Sequence, residues 1–353
     1  MSRQIGIDTI HLRPTPRVAH TDYSMSYHIE LLRKYSGGLD PTKPENAGIC
    51  NTALMDAWDF DFIWSVNDGP LNWLTQGRAT DLGHAVYAAD GSDERQPKNC
   101  PFTSPEEVWE FDPIKEYGVP GHEELKRYYR EWHEKAQADH PNQVHTGGYY
   151  KTVIYGAIQA FGWDMLLLAA SDEEKFANVL NRIGDYTMHY VKAQAETPSI
   201  EVFMQHDDMV WTSGPFVRPE VYRSVIFPIF KKLWAVLKKA GKKVIFCSDG
   251  TWDMFVDDIA ACGADGFCFE PSNNVDIFVN KYGKTHCIIG SKADCRTMAF
   301  EPWEKVKAEI DATLVLAKQC PGFMFAVGNH IPANVNDEMC ERYIDYLKRN
   351  WQR

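Results

Sequence analysis

Five apolar runs in the second half of the sequence end in residues able to do acid, base or metal chemistry. EVFMQ is followed by His206, Asp207 and Asp208, and VIFCSDG carries Cys247 and Asp249. GFCFEP ends near Glu270, IIGSKAD carries Lys292 and Asp294, and MFAVGNH ends on Asn329 and His330. His84, in TDLGHAVYAADG, comes from an earlier loop and joins them. Carboxylates with one or two histidines and a cysteine hold zinc with one coordination position open. The same groups without a metal serve as general acid, general base and anchor for a cationic intermediate. Each residue alone also has an ordinary structural role: Asp249-Gly250 as a turn, Asp207 or Asp208 as a helix cap, His330 as a hydrogen-bonded loop residue. Their recurrence at successive run ends is what points to one site. No helical H-E-x-x-H pattern is present to fix metal ligands.

The elements that must carry these residues alternate. Runs of four to six β-branched or aromatic residues are preceded by glycines 241, 263, 283 and 322 and separated by helical stretches. That is the pattern of buried parallel strands joined by helices. PEVYRSVIFPIFKKLWAVLKKAG reads as one helix kinked at Pro228. SDEEKFANVLNRIGDYTMHYVKAQAE reads as a helix capped by Ser171, with Glu174 three residues on. Barrel enzymes place chemistry at strand C-termini, and such a barrel uses about 250 residues. The expectation is therefore one α/β domain over residues 1–353, a single (β/α)8 TIM barrel. Residues 1–50 form an N-terminal arm, and the polar, proline-rich 88–145 forms an insertion or lid with a helix at HEELKRYYREWHEKAQAD. No G-x-G-x-x-G or G-x-x-x-x-G-K-[ST] follows a strand.

Composition narrows the partners. Forty-nine acidic against 37 basic residues give a formal charge of -12, which argues against nucleic acid or an anionic membrane. No apolar stretch is long enough to span a bilayer, and the start lacks the apolar core of a signal peptide. Nine cysteines without a C-x-x-C pair fit reduced thiols, so a cytoplasmic enzyme is expected. The 45 aromatic residues leave room for an aromatic-lined pocket taking a flat substrate.

The segments HDDMVWTSGPFVRPEVYRSVIFPIFKKLW, VIFCSDG, GADGFCFEP, IIGSKADCRT and GFMFAVGNHIPANV resemble the uroporphyrinogen-decarboxylase-like superfamily. The resemblance covers about residues 145–353 well and 50–95 more loosely. It implies a (β/α)8 barrel and three branches of activity. The porphyrinogen decarboxylases carry an R-Q-A-G-R segment that grips acetate and propionate groups. This chain has YHIELLRKYSGGLD there, and FDFIWSVNDG in place of the usual F-S-D residues. The coenzyme M methyltransferases bind zinc through His-x-Cys and a distant Cys, where this chain has Cys247-x-Asp249 and Asn329. The third branch, the demethylating methyltransferases of ether-cleaving systems, has a segment similar to GHAVYAADGSDER and a Glu-x14-Glu-x20-His zinc pattern. Asp294, Glu309 and His330 reproduce that spacing, with Asp in the first place.

The resemblance thus implies transfer of a methyl group from a small methoxylated, aromatic donor to the cobalt of a corrinoid (cobalamin) protein, with zinc assisting. Expected metal ligands are Asp294 and His330 with Asp249 or Glu270, Glu309 and Cys247 being alternatives. His206, Asp207 and His84 are expected to bind or protonate the substrate. Asp208, Tyr149, Tyr150 and Trp211 are expected to line its pocket. Expected partners are the corrinoid protein, the methyl donor and a second copy in a homodimer. The alternatives are a metal-free carboxy-lyase on a smaller acid, with Asp207 or Asp208 steadying a protonated intermediate, and a barrel that binds a corrinoid or tetrapyrrole without turnover.

Overall fold

A computed structural model describes residues 2–70, 78–80, 100–328 and 330–353. His84, Asn329 and the 88–99 part of the expected insertion lie outside the described residues.

Strands β1 (Ala19–His20), β2 (Phe62–Ile63), β3 (Val144–His145 continuing as Gly147–Tyr149), β4 (Val202–His206), β5 (Lys243–Ser248), β6 (Gly266–Phe269), β7 (Cys287–Gly290) and β8 (Phe323–Phe325) are all parallel. Seven segments form one sheet in the order β1, β8, β7, β6, β5, β4 and the second part of β3, while β2 pairs with the first part of β3. The remaining seam is closed by the Asp61 N–H, which donates to the His20 carbonyl at 2.8 Å. The result is a closed eight-stranded α/β barrel, with helices in the connections.

Side chains alternate across the wall, as the two-residue period of a strand requires. Val202, Met204, Ile245, Cys247, Cys268, Cys287, Ile289 and Met324 fill the barrel interior. Phe203, Val244, Phe246, Phe267, Ile288, Phe323 and Phe325 face the helices. The helix Ser2–Ile10 packs at the N-terminal end, with Ile10 inserted among the interior residues and Ile5 and Ile7 against them. The first strand therefore lies inside the segment expected to be an arm. Residues 100–145 are the described part of the expected insertion or lid. They form helices Pro105–Glu110, Pro113–Tyr117 and His122–Asp139, then run into β3. Trp109 Nε1 donates to the Ala169 carbonyl at 3.0 Å, Arg182 Nε donates to Phe111 O at 2.6 Å, and Phe102 and Phe111 pack edge-on against Phe161.

Two helix expectations need correction. Helix Glu173–Ala195 is capped by Asp172, whose carboxylate accepts from the Lys175 N–H at 3.1 Å, while Ser171 Oγ turns back to the Leu168 carbonyl. The stretch after Pro219 is not one kinked helix. Pro219–Val221 leads into a wide π-turn, Tyr222–Ile226, and Phe227–Lys239 follows with Pro228 in its first turn, where a missing N–H costs little. No helix among the described residues is long and apolar enough to cross a membrane.

A buried ion pair fastens the first two strands. Arg17 donates to both Asp61 oxygens at 2.7 and 2.8 Å, and the His20 N–H donates to Asp61 at 2.9 Å. Removing one partner strands the other charge, so Arg17→Met is expected to destabilise the fold by about 3–5 kcal/mol. Denaturant unfolding checks this, and the double change Arg17→Met with Asp61→Leu is expected to cost clearly less.

Candidate active site

The two-residue period sorts the candidate residues by face. On β4, inward Val202 and Met204 put His206 inward and Asp207 outward. Asp249 continues the inward positions Ile245 and Cys247, Glu270 continues Cys268, and His330 continues Met324 and Ala326. Asp294 falls on the opposite phase from Cys287 and Ile289.

A cavity of about 460 Å³ opens at this end of the barrel. His206, Asp249, Glu270, His330, Cys247 and Cys268 line it. So do residues from the first two strand ends that sequence reasoning missed: Asp22, Tyr23, Ser24, Phe60 and Trp64. Tyr23 and Trp64 stand on the inward phase set by Ala19 and Phe62. That phase was the available signal, but a two-residue strand is too short to announce itself by periodicity.

At the wall, the buried His206 is held from behind. Its Nε2 lies 2.8 Å from Asp208 Oδ1, which also accepts the Asp249 N–H at 2.8 Å. The Tyr150 hydroxyl donates to Asp208 Oδ2 at 3.0 Å. The imidazole sits 4.0 Å from the Tyr150 ring and edge-to-face with Trp64 at 5.2 Å, centroid to centroid. Burial raises the Asp208 pKa, but the charge and hydrogen bond of His206 outweigh it and hold the carboxyl below its ordinary value. Burial, followed by the Asp208 charge, pushes the Tyr150 hydroxyl far up, so it stays a proton donor. With Nε2–H donated to Asp208, Nδ1 of His206 is left as the other ring atom, buried and without a hydrogen-bond partner.

Asp249 is carried by a turn that only glycine completes. Gly250 has φ 76°, and a Cβ there would lie 2.5 Å from the Trp211 carbonyl oxygen. Its N–H donates to Glu270 Oε2 at 2.7 Å, tying the ends of β5 and β6 together. His330 is hydrogen-bonded through Nδ1 to Ser24 Oγ, and Ser24 adopts a left-handed backbone with φ 61°.

Several expected residues lie elsewhere. Asp207 is fully buried behind the wall, and its carboxylate accepts the N–H groups of Val153, Ile154 and Tyr155 at 3.0, 3.2 and 2.6 Å. It caps the helix Ile154–Ala169 from a neighbouring strand, and burial pushes its pKa up to about 7. Tyr149 has the outward phase and packs against Tyr190 in the core. Trp211 is 42% exposed and clusters with Trp163 and Phe216 away from the cavity lining. Tyr150 and Asp208 stand behind His206 as its supports.

The metal set implied by the resemblance is not brought together. Asp294 caps helix Cys295–Phe300 by accepting the Arg296 N–H at 2.8 Å. Glu309 reaches the Asp294 N–H and the Thr297 hydroxyl at 3.1 and 2.8 Å, outside the cavity lining. A different trio fits the donor chemistry. A nitrogen of His206 and carboxylate oxygens of Asp208 and Asp249 lie within 4.8 Å of one another, the single such group among the described residues. One imidazole and two carboxylates suit a divalent ion such as zinc.

A family model described as uroporphyrinogen decarboxylase matches residues 156–350. A uroporphyrinogen decarboxylase from Salinispora tropica is 21% identical over 179 residues, which is 50% of this chain and 46% of that protein. The chain thus spans about half the length of the curated relative it matches. Among solved structures, a sugar phosphate isomerase/epimerase from Parabacteroides distasonis has a TM-score of 0.37 at 10% identity, covering 95% of this chain and 94% of its own. A xylose isomerase-like TIM barrel protein from Mycobacterium smegmatis, solved with magnesium, has a TM-score of 0.36 at 9% identity, covering 95% and 98%.

Proposed function

The chain belongs to the uroporphyrinogen decarboxylase family, and from that premise we propose that it is a methyltransferase. It takes the methyl group of a small methoxylated aromatic donor and delivers it to a corrinoid carried by a separate protein. The observation that carries this reading is the charge of the cavity. Its carboxyl and imidazole lining among the described residues consists of Asp22, Asp249 and Glu270 with His206 and His330, and it includes no lysine or arginine. A porphyrinogen or other polycarboxylate would set its own carboxylates against these, at a cost of about 1–4 kcal/mol for each close pair. A neutral ring meets aromatic walls instead, Tyr23 and Trp64, whose centroids stand 6.4 Å apart at 79°.

In the reaction the methyl–oxygen bond breaks, both its electrons remain on the oxygen, and the methyl carbon takes a pair from the reduced cobalt of the acceptor. A phenolate leaves poorly unless its charge is met. Nδ1 of His206 is the atom available to meet it, by supplying a proton. Asp208 holds the ring by Nε2, and Tyr150 and the Asp249 N–H hold Asp208. If zinc is bound by His206, Asp208 and Asp249, it supplies Lewis-acid neutralisation of the same oxygen.

Calorimetric titration tests the charge argument. A neutral methoxylated monocyclic ring is expected to bind at least about tenfold tighter than the same ring bearing a carboxylate, a difference of about 1.4 kcal/mol. The reverse order contradicts the reading and favours a carboxy-lyase.

A further inference from the structure

The reaction above uses neither thiol on the cavity floor. Cys247 on β5 and Cys268 on β6 are register partners on adjacent parallel strands, and both point inward. Both line the cavity, and none of the other seven cysteines does so. The Tyr23 hydroxyl lies 3.2 Å from the Cys268 sulfur. Adjacent strands run about 4.8 Å apart. That spacing falls within the Cα separations of roughly 4.4–6.8 Å that a disulfide bridges.

We propose that Cys247 and Cys268 are an oxidisable dithiol, converted to a disulfide by a small hydroperoxide that enters through the cavity mouth. Cys268 is the attacking sulfur because the Tyr23 hydroxyl stands 3.2 Å from it, close enough to donate to its thiolate. In the first step the Cys268 thiolate attacks one peroxide oxygen. The terminal oxygen of the peroxide is transferred, the O–O bond breaks, the other oxygen leaves as hydroxide or alkoxide, and a sulfenic acid remains on Cys268. In the second step the Cys247 sulfur attacks the Cys268 sulfur, the S–O bond breaks, and the hydroxyl leaves with the Cys247 proton as water. The two thiols are oxidised by two electrons, and the peroxide is reduced by two. Asp249 and Glu270, two of the three carboxylates of the lining, stand two residues beyond the two sulfurs. The bond itself is independent of the proposed methyl transfer.

Peptide mass spectrometry after hydrogen peroxide treatment and alkylation of the remaining thiols tests this. The expected product joins the Cys247 and Cys268 peptides with loss of two hydrogens. In Cys247→Ser the expected product is a sulfenic acid at Cys268, trapped by a 1,3-dicarbonyl reagent. In Cys268→Ser, Cys247 remains a thiol. Tyr23→Phe, which keeps both cysteines, is expected to slow oxidation about two- to tenfold, as loss of one hydrogen bond to the thiolate requires. Circular dichroism on each variant establishes that it is folded. Both residues alkylating as free thiols while the half-buried Cys100, Cys262 or Cys295 oxidises would overturn the proposal. So would a bond from Cys268 to Cys287, one layer deeper on β7.

Discussion

Asp208→Asn is expected to lower the rate of methyl transfer by about 10²- to 10⁴-fold, the range that a positioned acid–base group supplies. The substitution keeps the shape of the side chain and its place behind His206, so the fold and donor affinity should change little. What it removes is the negative charge beside His206 Nε2, while an amide oxygen can still accept from that nitrogen. The Asp208 carboxyl lies below the ordinary carboxylate range and therefore stays ionised through neutral pH, so the wild-type support is constant there. Steady-state kinetics separate the outcomes. A fall in kcat with an unchanged KM fits a positioning role, whereas a rise in KM alone would place Asp208 in substrate binding.

The second large effect falls on stability. Asp207→Ala is expected to destabilise the protein by about 3–5 kcal/mol, because three buried N–H groups at the start of helix Ile154–Ala169 lose their acceptor together. Asp207→Asn keeps a neutral acceptor oxygen and should lie between alanine and wild type. Activity per folded molecule should survive both changes within a few fold. Equilibrium unfolding with parallel rate measurements checks this. A normal midpoint with lost turnover would return Asp207 to the chemistry.

The contrast between these neighbours shows what could be read from the sequence. The barrel was legible, because strand–helix alternation after residue 200 is regular and each strand there is three to six residues long. Its first two strands were not, since Ala19–His20 and Phe62–Ile63 are too short to carry a period. That is why Tyr23 and Trp64 went unnoticed. The site was read as a set of strand ends without assigning the face of each position. With face assigned, His206, Asp249, Glu270 and His330 separate from Asp207, Asp294 and Tyr149, because odd and even positions of a strand face opposite sides of the wall. The spacing of Asp294, Glu309 and His330 matched a pattern but not a place. Asp294 is committed to a helix cap, Glu309 bonds to its backbone, and His330 lies in the cavity. Helix capping and cross-strand support are contacts between distant segments, and local sequence does not encode them.

The central claim is that the His206–Asp208 pair in this cavity promotes transfer of a methyl group from a small ether to a corrinoid. Its most direct test is a single-turnover measurement: the purified protein is mixed anaerobically with chemically reduced cobalamin and a neutral methoxylated ring, and the cobalt spectrum is followed. The account predicts formation of methylcobalamin in step with the demethylated product, slowed at least about a hundredfold in Asp208→Asn. Release of carbon dioxide from a small acid, with the reduced cobalt spectrum unchanged by any methoxylated donor, would contradict it.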